Sequence, residues 1–280
     1  MMSCGPSQFR SRGTTVLGEN LSTGSADLTD AIDTIRTYWN LHIHDLEIAR
    51  HPIGSKEFFE ELAAYRFEKL SYLPRLINFG AYTGKRVLEV GCGVGLDLAL
   101  FAQHGAKVTG VDLAEVSIEL AKKNFAFQGL VGDLQVMNGE HLEFDDESFD
   151  IAYAHGVLQY TANVKQMIRE ICRILKPGGQ AILMVYNRYS WLNLLSKACG
   201  VKLEHEDAPV LNKYSLHEFR HLLSDFWPVE IVPERFPVPT RLHTGMKAIV
   251  YNTVFVSAFN LLPKALVRPF GWHLMAKAVK

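Results

Sequence analysis

The chain is poor in cysteine. Only Cys4, Cys92, Cys172 and Cys199 occur in 280 residues, and no two of them form a CxxC pair. That spacing excludes a zinc ribbon and a disulfide framework, and reduced thiols suit a cytoplasmic setting. No run reaches the roughly 18 unbroken apolar residues of a membrane span. The N-terminal stretch is rich in Ser, Gly and Thr and lacks the apolar core of a secretory signal, so residues 1–28 are expected to form a flexible tail. Net charge is −1, and with no long basic run or appended RNA module, no nucleic-acid partner is expected. No cluster of metal-ligating residues is legible, so no metal is expected. One sign of charge is missing locally: no Asp or Glu follows Glu234, whereas Arg235, Arg241, Lys247, Lys264, Arg268, Lys277 and Lys280 do.

What is present is a βα alternation. Residues 29–50 and 55–79 have helical spacing, with Ser55 as N-cap and Pro74 as a kink. KRVLEVG, AKVTGVD, LQVMN, FDIAYAH and QAILMVY read as strands. Helices starting at Leu96, Ala114 and Asn163 separate them, which predicts a parallel sheet with helices on both faces. SLHEFRHLLSDF is a further helix capped by Ser215, VEIVPERF and GWHLMAKAV are two more strands, and a long apolar insert lies between those strands. We divide residues 29–280, one domain, into a helical cap (29–84), a cofactor-binding core (85–190) and a C-terminal half (191–280) with the insert at 240–270.

VLEVGCGVGLDL raises the chemical question. A strand running through glycines into a helix is a nucleotide-binding turn, because glycine admits positive φ and lets a ligand touch the main chain. Asp112 ends the next strand, where a carboxylate accepts hydrogen bonds from ribose hydroxyls. A dinucleotide site requires G-x-G-x-x-G. Here the glycines are Gly91, Gly93 and Gly95, and the third dinucleotide position is Leu96. Glu89 would also repel a diphosphate. A carboxylate suits a nucleoside ligand with a positive end and no phosphate, so an NAD-dependent dehydrogenase is disfavoured.

VLEVGCGVG resembles the first motif of class I S-adenosylmethionine-dependent methyltransferases of the small-molecule type. VDLAE, MNGEHLEFDDESFDIAYAHGVLQY and LKPGG resemble that family's later landmarks and fall in the same order. Four ordered landmarks are far more specific than one glycine loop. Asn138 departs from the family's usual Asp but still offers an acceptor. The resemblance implies a Rossmann-like seven-stranded sheet, mostly parallel with an antiparallel last strand, and S-adenosyl-L-methionine as cofactor. It implies that Gly91, Cys92 and Gly93 line the methionine part and that Glu89 organises the loop and the ammonium. Asp112 would hold the ribose, Leu113 would pack on adenine, and Asn138, Gly139 and Glu140 would edge it. Ala154 and His155 would sit beside the sulfonium, with His155 the candidate base. Arg66 would pair with the methionine carboxylate.

Tyr38, Trp39 and Tyr65 on the N-terminal helices, Tyr160, and Tyr186 and Asn187 at the end of the fifth strand are the acceptor-pocket candidates. Each has a bland alternative as packing. The apolar insert with only basic charges is expected to act as a lid that helps enclose a greasy acceptor or as a contact with an anionic membrane surface, with an extra helix closing the core as the bland alternative. The reading that follows is methyl transfer by direct in-line displacement to a small apolar or amphiphilic acceptor. RNA or protein methylation and a non-catalytic cofactor-binding partner subunit are the alternatives. Neither the methylated atom nor the oligomeric state is legible.

Overall fold

A computed structural model describes residues 25–200, 203–239 and 245–280. The expected N-terminal tail lies outside the described residues as far as residue 24. From Ser25 the chain is already helical. The order is α1 (Ser25–Leu41), α2 (Lys56–Lys69), α3 (Leu73–Leu76), β1 (Arg86–Val90), α4 (Leu96–Gln103), β2 (Lys107–Asp112), α5 (Glu115–Gln128), β3 (Asp133–Val136), β4 (Phe149–His155), α6 (Val164–Ile174) and β5 (Leu175–Tyr186). There follow α7 (Trp191–Cys199), α8 (Leu216–Leu222), β6 (Val229–Glu234), α9 (Met246–Val250), a π-turn (Tyr251–Phe255), α10 (Val256–Leu261), α11 (Lys264–Val267) and β7 (His273–Val279).

The strands form one seven-stranded sheet, β3-β2-β1-β4-β5-β7-β6. Strands β1 to β5 pair in parallel, and β7 runs antiparallel to both β5 and β6. Side chains alternate between the faces. Val87, Ile151, Tyr153, Ile182 and Met184 join a core with Phe101 of α4 and Phe125 of α5. Leu88, Ala152, Ala154, Leu183 and Val185 join the opposite core with Met167 and Ile171 of α6 and Phe219 of α8. Both faces being covered explains why AILMVY is a continuous apolar run instead of an alternating one. Each buried Leu, Ile or Phe is worth about 1.5–3 kcal/mol.

Local chemistry sets the helix starts. Ser55 accepts from Phe58 N at 3.2 Å. Ser215 and Glu218 form a capping box, and such caps are worth about 1 kcal/mol each. Three elements differ from the sequence expectation. The first helix stops at Leu41, with a separate 3-10 turn at Leu46–Ile48. The second breaks at Lys69, before Pro74, into α3. LKPGG begins β5 through a bulge opposite Phe149–Ile151 instead of standing as a separate turn. Helix α7 went unread, although Ser190 caps it and Gly200, at φ 63°, closes it.

The insert folds as a broken helical segment. Ala248 and Val256 are buried, and the rings of Tyr251, Phe255 and Phe259 lie 6.0–6.4 Å from Trp191 of α7. Met246, Ile249, Val250, Val254 and Leu261 face outward and are exposed. Gly271 then brings the chain hard against β6: a Cβ there would lie 2.6 Å from the backbone N and O of Glu234. That approach sets Arg235, just past β6, beside His273 at the start of β7.

Candidate active site

The carboxyl ends of β1, β2, β4 and β5 open into one cavity, together with the start of β7 and residues of α1 and α2. The loop after β1 forms its floor. Gly91, Gly93 and Gly95 take φ of 71°, 52° and 75°. Gly91 N and Cys92 N both donate to Val111 O, at 2.8 and 3.0 Å. Asp112 completes the turn, its Oδ2 accepting from Gly93 N at 2.8 Å and its Oδ1 from Ala114 N at 2.9 Å. A Cβ on Gly91 would strike Val157 at 2.7 Å, whereas a Cβ on Gly93 would meet nothing within 4 Å. Gly91 is therefore required by packing, and Gly93 by backbone conformation and by whatever enters the cavity.

Glu89 is 2% exposed, and one of its carboxylate oxygens is buried with no hydrogen-bond partner. Burial, reinforced by the neighbouring Asp97, pushes its carboxyl well above the usual range, with Arg66 acting in the opposite direction. Asp112 is raised too, by burial, against the pull of its backbone donors. An unmatched buried carboxylate is a feature that a cationic ligand relieves and a diphosphate worsens.

Arg66 is bound by Asp97, Nε to Oδ1 at 2.6 Å and Nη2 to Oδ2 at 2.5 Å. Tyr153 Oη donates to the same Oδ2 at 2.7 Å. The network then runs deep. Arg66 Nη2 lies 3.2 Å from His155 Nδ1, and His155 Nε2 lies 2.9 Å from Tyr72 Oη. Tyr72 Oη meets His273 Nδ1 at 2.5 Å, and His273 Nε2 meets Arg235 Nη1 at 3.2 Å. Guanidinium groups only donate, and a neutral imidazole has one N–H. Burial and Arg66 push His155 down to about 3. Burial and Arg235 push His273 well below its ordinary value. Both rings are therefore neutral. His155 Nδ1 and His273 Nε2 must accept, so both remaining N–H groups point at the Tyr72 oxygen. The Tyr72 hydroxyl hydrogen is left for Met275 Sδ, 3.9 Å away. Neither histidine has a spare nitrogen, and the base role expected of His155 gains no support from this geometry.

Of the sequence candidates, Glu89, Gly91, Cys92, Gly93, Asp112, Leu113, Asn138, Gly139, Glu140, His155, Arg66, Trp39, Tyr160 and Tyr186 line the cavity. Four do not. Ala154 lies one residue short of His155 and points into the α6 core. Tyr38 is turned away on α1, its hydroxyl donating to Asp207 at 2.9 Å. Tyr65 lies under the Lys69 ammonium, 5.1 Å from ring centre to Nζ. Asn187 is spent on structure: its Nδ2 donates to Pro269 O and Gly271 O, both at 2.9 Å. Two cavity residues are also partly engaged. Asn138 Oδ1 accepts from Glu140 N at 2.9 Å, and Glu140 Oε1 accepts from Thr161 Oγ1 and from Asn163 N. Asp97, Lys69, Arg235 and His273 were missed. The antiparallel last strand was the available signal for His273, since its first residue pairs with Tyr186 at the ligand end of β5.

Comparison with known proteins agrees with this geometry. Residues 88–183 match the family described as Methyltransferase domain. A sterol 4-C-methyltransferase, strm-1 of Caenorhabditis elegans, is 33% identical over 138 residues, covering 44% of this chain and 41% of its own. A ubiquinone biosynthesis O-methyltransferase of Coxiella burnetii is 37% identical over 120 residues, covering 43% and 50%. The chain thus spans about half the length of these curated relatives. A methyltransferase from Aquifex aeolicus superposes with TM-score 0.53 over 80% of this chain and 98% of its own, at 16% identity. YcgJ of Bacillus subtilis does so with TM-score 0.52 over 75% and 98%, at 19% identity. Those two share the fold. Residues 88–183 match a methyltransferase domain, over the same segment that carries the glycine loop, Asp112 and His155.

Gly93→Val puts a branched side chain into the cavity at positive φ. Binding of S-adenosylhomocysteine, measured by calorimetry, is expected to fall at least 100-fold while the circular dichroism spectrum is retained. A folded variant that binds normally refutes the placement of the ligand against this loop.

Proposed function

We propose that this chain transfers the methyl group of S-adenosylmethionine to a small apolar or amphiphilic molecule. The observation that carries the proposal is the buried, unmatched carboxylate oxygen of Glu89 beside a glycine loop whose Gly93 faces open cavity. This favours a cationic nucleoside ligand without phosphate. Asp112 would accept from the ribose hydroxyls while holding the loop, and Leu113 would cover adenine. Asn138, Gly139 and Glu140 would edge the ring. Arg66, held by Asp97, would offer its Nη1 donors to the methionine carboxylate. When bound, S-adenosylmethionine supplies an electrophilic methyl carbon open to direct in-line displacement. The chain's part is then alignment and the exclusion of water. His155, neutral and fixed on both nitrogens, would serve as a wall and not as a base.

The insert bears on the acceptor. Among the described residues, none between 245 and 270 lines the cavity, so a direct enclosing role has no support. Its link is indirect, through Trp191, whose Nε1 donates to Arg235 O at 2.9 Å. The exposed aliphatic face, in a stretch with no acidic residue after Glu234, suits contact with an anionic membrane from which an amphiphilic acceptor would come.

The protein is expected to bind S-adenosylhomocysteine and not NAD in calorimetry, and Asp112→Ala is expected to weaken that binding by about 1.5–3 kcal/mol through loss of a charged acceptor. NAD binding without S-adenosylhomocysteine binding would sink the reading. Labelled S-adenosylmethionine incubated with a metabolite extract tests transfer itself. For the insert, the chain should co-sediment with phosphatidylglycerol vesicles and less with phosphatidylcholine. Replacing Val254 and Leu261 by Glu should weaken that at least tenfold, since each buried aliphatic side chain is worth about 1.5–3 kcal/mol. Equal sedimentation of the double variant, or none by the parent, excludes the membrane contact.

A further inference from the structure

The cavity is bipolar. Strands β2 and β7 are four strand spacings apart in the sheet, roughly 19 Å at about 4.8 Å each. The β2 end is acidic, with Glu89 and Asp112. The end built around β6 and β7 is walled by Trp39, Tyr160 and Tyr186, and its charged lining is Lys69 and Arg235. Both cations are paired: Lys69 Nζ lies 2.5 Å from Asp45 Oδ1, and Arg235 Nη2 lies 2.8 Å from Glu204 Oε1. Asp45 and Glu204 do not line the cavity. Of these two ion pairs, the cationic residues line the cavity and their carboxylate partners do not. Little of either cation reaches water, with side-chain exposures of 7% for Lys69 and 12% for Arg235.

The backbone beneath this arrangement is strained. Among the described residues, four non-glycine residues have positive φ, and three of them belong to this cluster: Asp45 (61°), His205 (50°) and Arg235 (58°). His205 Nε2 is 2.9 Å from His44 Nδ1, and His44 shares the cavity wall. Such conformations persist only where the surroundings over-determine them, and they concentrate at ligand sites. Oriented cations with aromatic walls are the means by which a planar organic anion is received.

Resting on the methyl-transfer reading, we propose that the acceptor carries a carboxylate, which Lys69 and Arg235 receive between the rings of Trp39, Tyr160 and Tyr186. Arg235 and Lys69 are then specificity-determining residues, and the carboxylate is the handle by which the acceptor is oriented. The neutral analogue of the same shape adds no charge-assisted hydrogen bond to Lys69 and Arg235 beyond their own ion pairs and binds more weakly.

The test uses the full chain saturated with S-adenosylhomocysteine, titrated calorimetrically with naphthalene-2-carboxylate and with naphthalene-2-carboxamide. The carboxylate should bind at least tenfold more tightly than the amide. In Arg235→Gln, held at an S-adenosylhomocysteine concentration that keeps the chain saturated, the preference should fall below threefold, and Arg235→Lys should restore part of it. Should Arg235→Gln fail to fold, Lys69→Met carries the same comparison. Equal binding of the two probes, or binding of neither, to a chain that holds S-adenosylhomocysteine normally overturns the carboxylate proposal and leaves the cofactor reading standing. A parent chain that fails to hold S-adenosylhomocysteine overturns the methyl-transfer reading itself.

Discussion

Taking a carboxylate out of water costs several kcal/mol unless a counter-charge and hydrogen bonds meet it, and Asp97, 1% exposed, is met by Arg66 and Tyr153. Much of the site hangs from this contact. It fastens α2 to the first turn of α4, and so holds the helical cap over the glycine loop. It leaves Arg66 Nη2 against His155 Nδ1, which fixes that ring's tautomer, and Tyr72 joins His155 to His273. His273 in turn receives Arg235, and Arg235 is bound to Glu204. A line of donors and acceptors thus crosses the ligand side from α4 to the far end of the sheet. Removing one member would leave another buried and unsatisfied, which is costlier than never having built the pair.

Much of this was legible in the sequence, for identifiable reasons. The glycine loop, Glu89, Asp112 and the 137–160 stretch are contiguous motifs, and a strand–loop–helix unit brings its own residues together without help from the rest of the chain. Strand identity was equally plain, since sheet burial on both faces leaves unbroken apolar runs such as AILMVY. Helix α7 escaped because Trp191–Cys199 mixes polar and apolar residues, with only the Ser190 cap and Gly200 to mark its ends.

The acceptor end was illegible for a topological reason. Asp45, Lys69, Glu204 and Arg235 come from four separated segments, and Arg235 reaches the ligand side only because β7 runs antiparallel beside β6. Arg235 looked like one more basic residue in a basic C-terminal stretch, and nothing in its neighbours announces positive φ or an acidic partner 31 positions upstream. Tyr38 and Tyr65 failed as pocket candidates for a related reason. Each adjoins a cavity residue, Trp39 and Arg66, and one position along a helix rotates a side chain by about 100°.

The central claim is that the Glu89 carboxylate, one oxygen of which has no hydrogen-bond partner within the protein, is matched by a cationic ligand. With its carboxyl raised in the free chain, part of the population is protonated above the ordinary carboxylate range. An ammonium favours the ionised form, so binding releases protons and affinity rises with pH, by up to about tenfold per unit for one proton. The decisive measurement is calorimetric titration with S-adenosylhomocysteine from pH 5 to 7 in two buffers of different ionisation enthalpy. The account predicts proton release and a positive slope, both diminished in Glu89→Gln. Binding with no proton release and no slope, unchanged by Glu89→Gln, would contradict it.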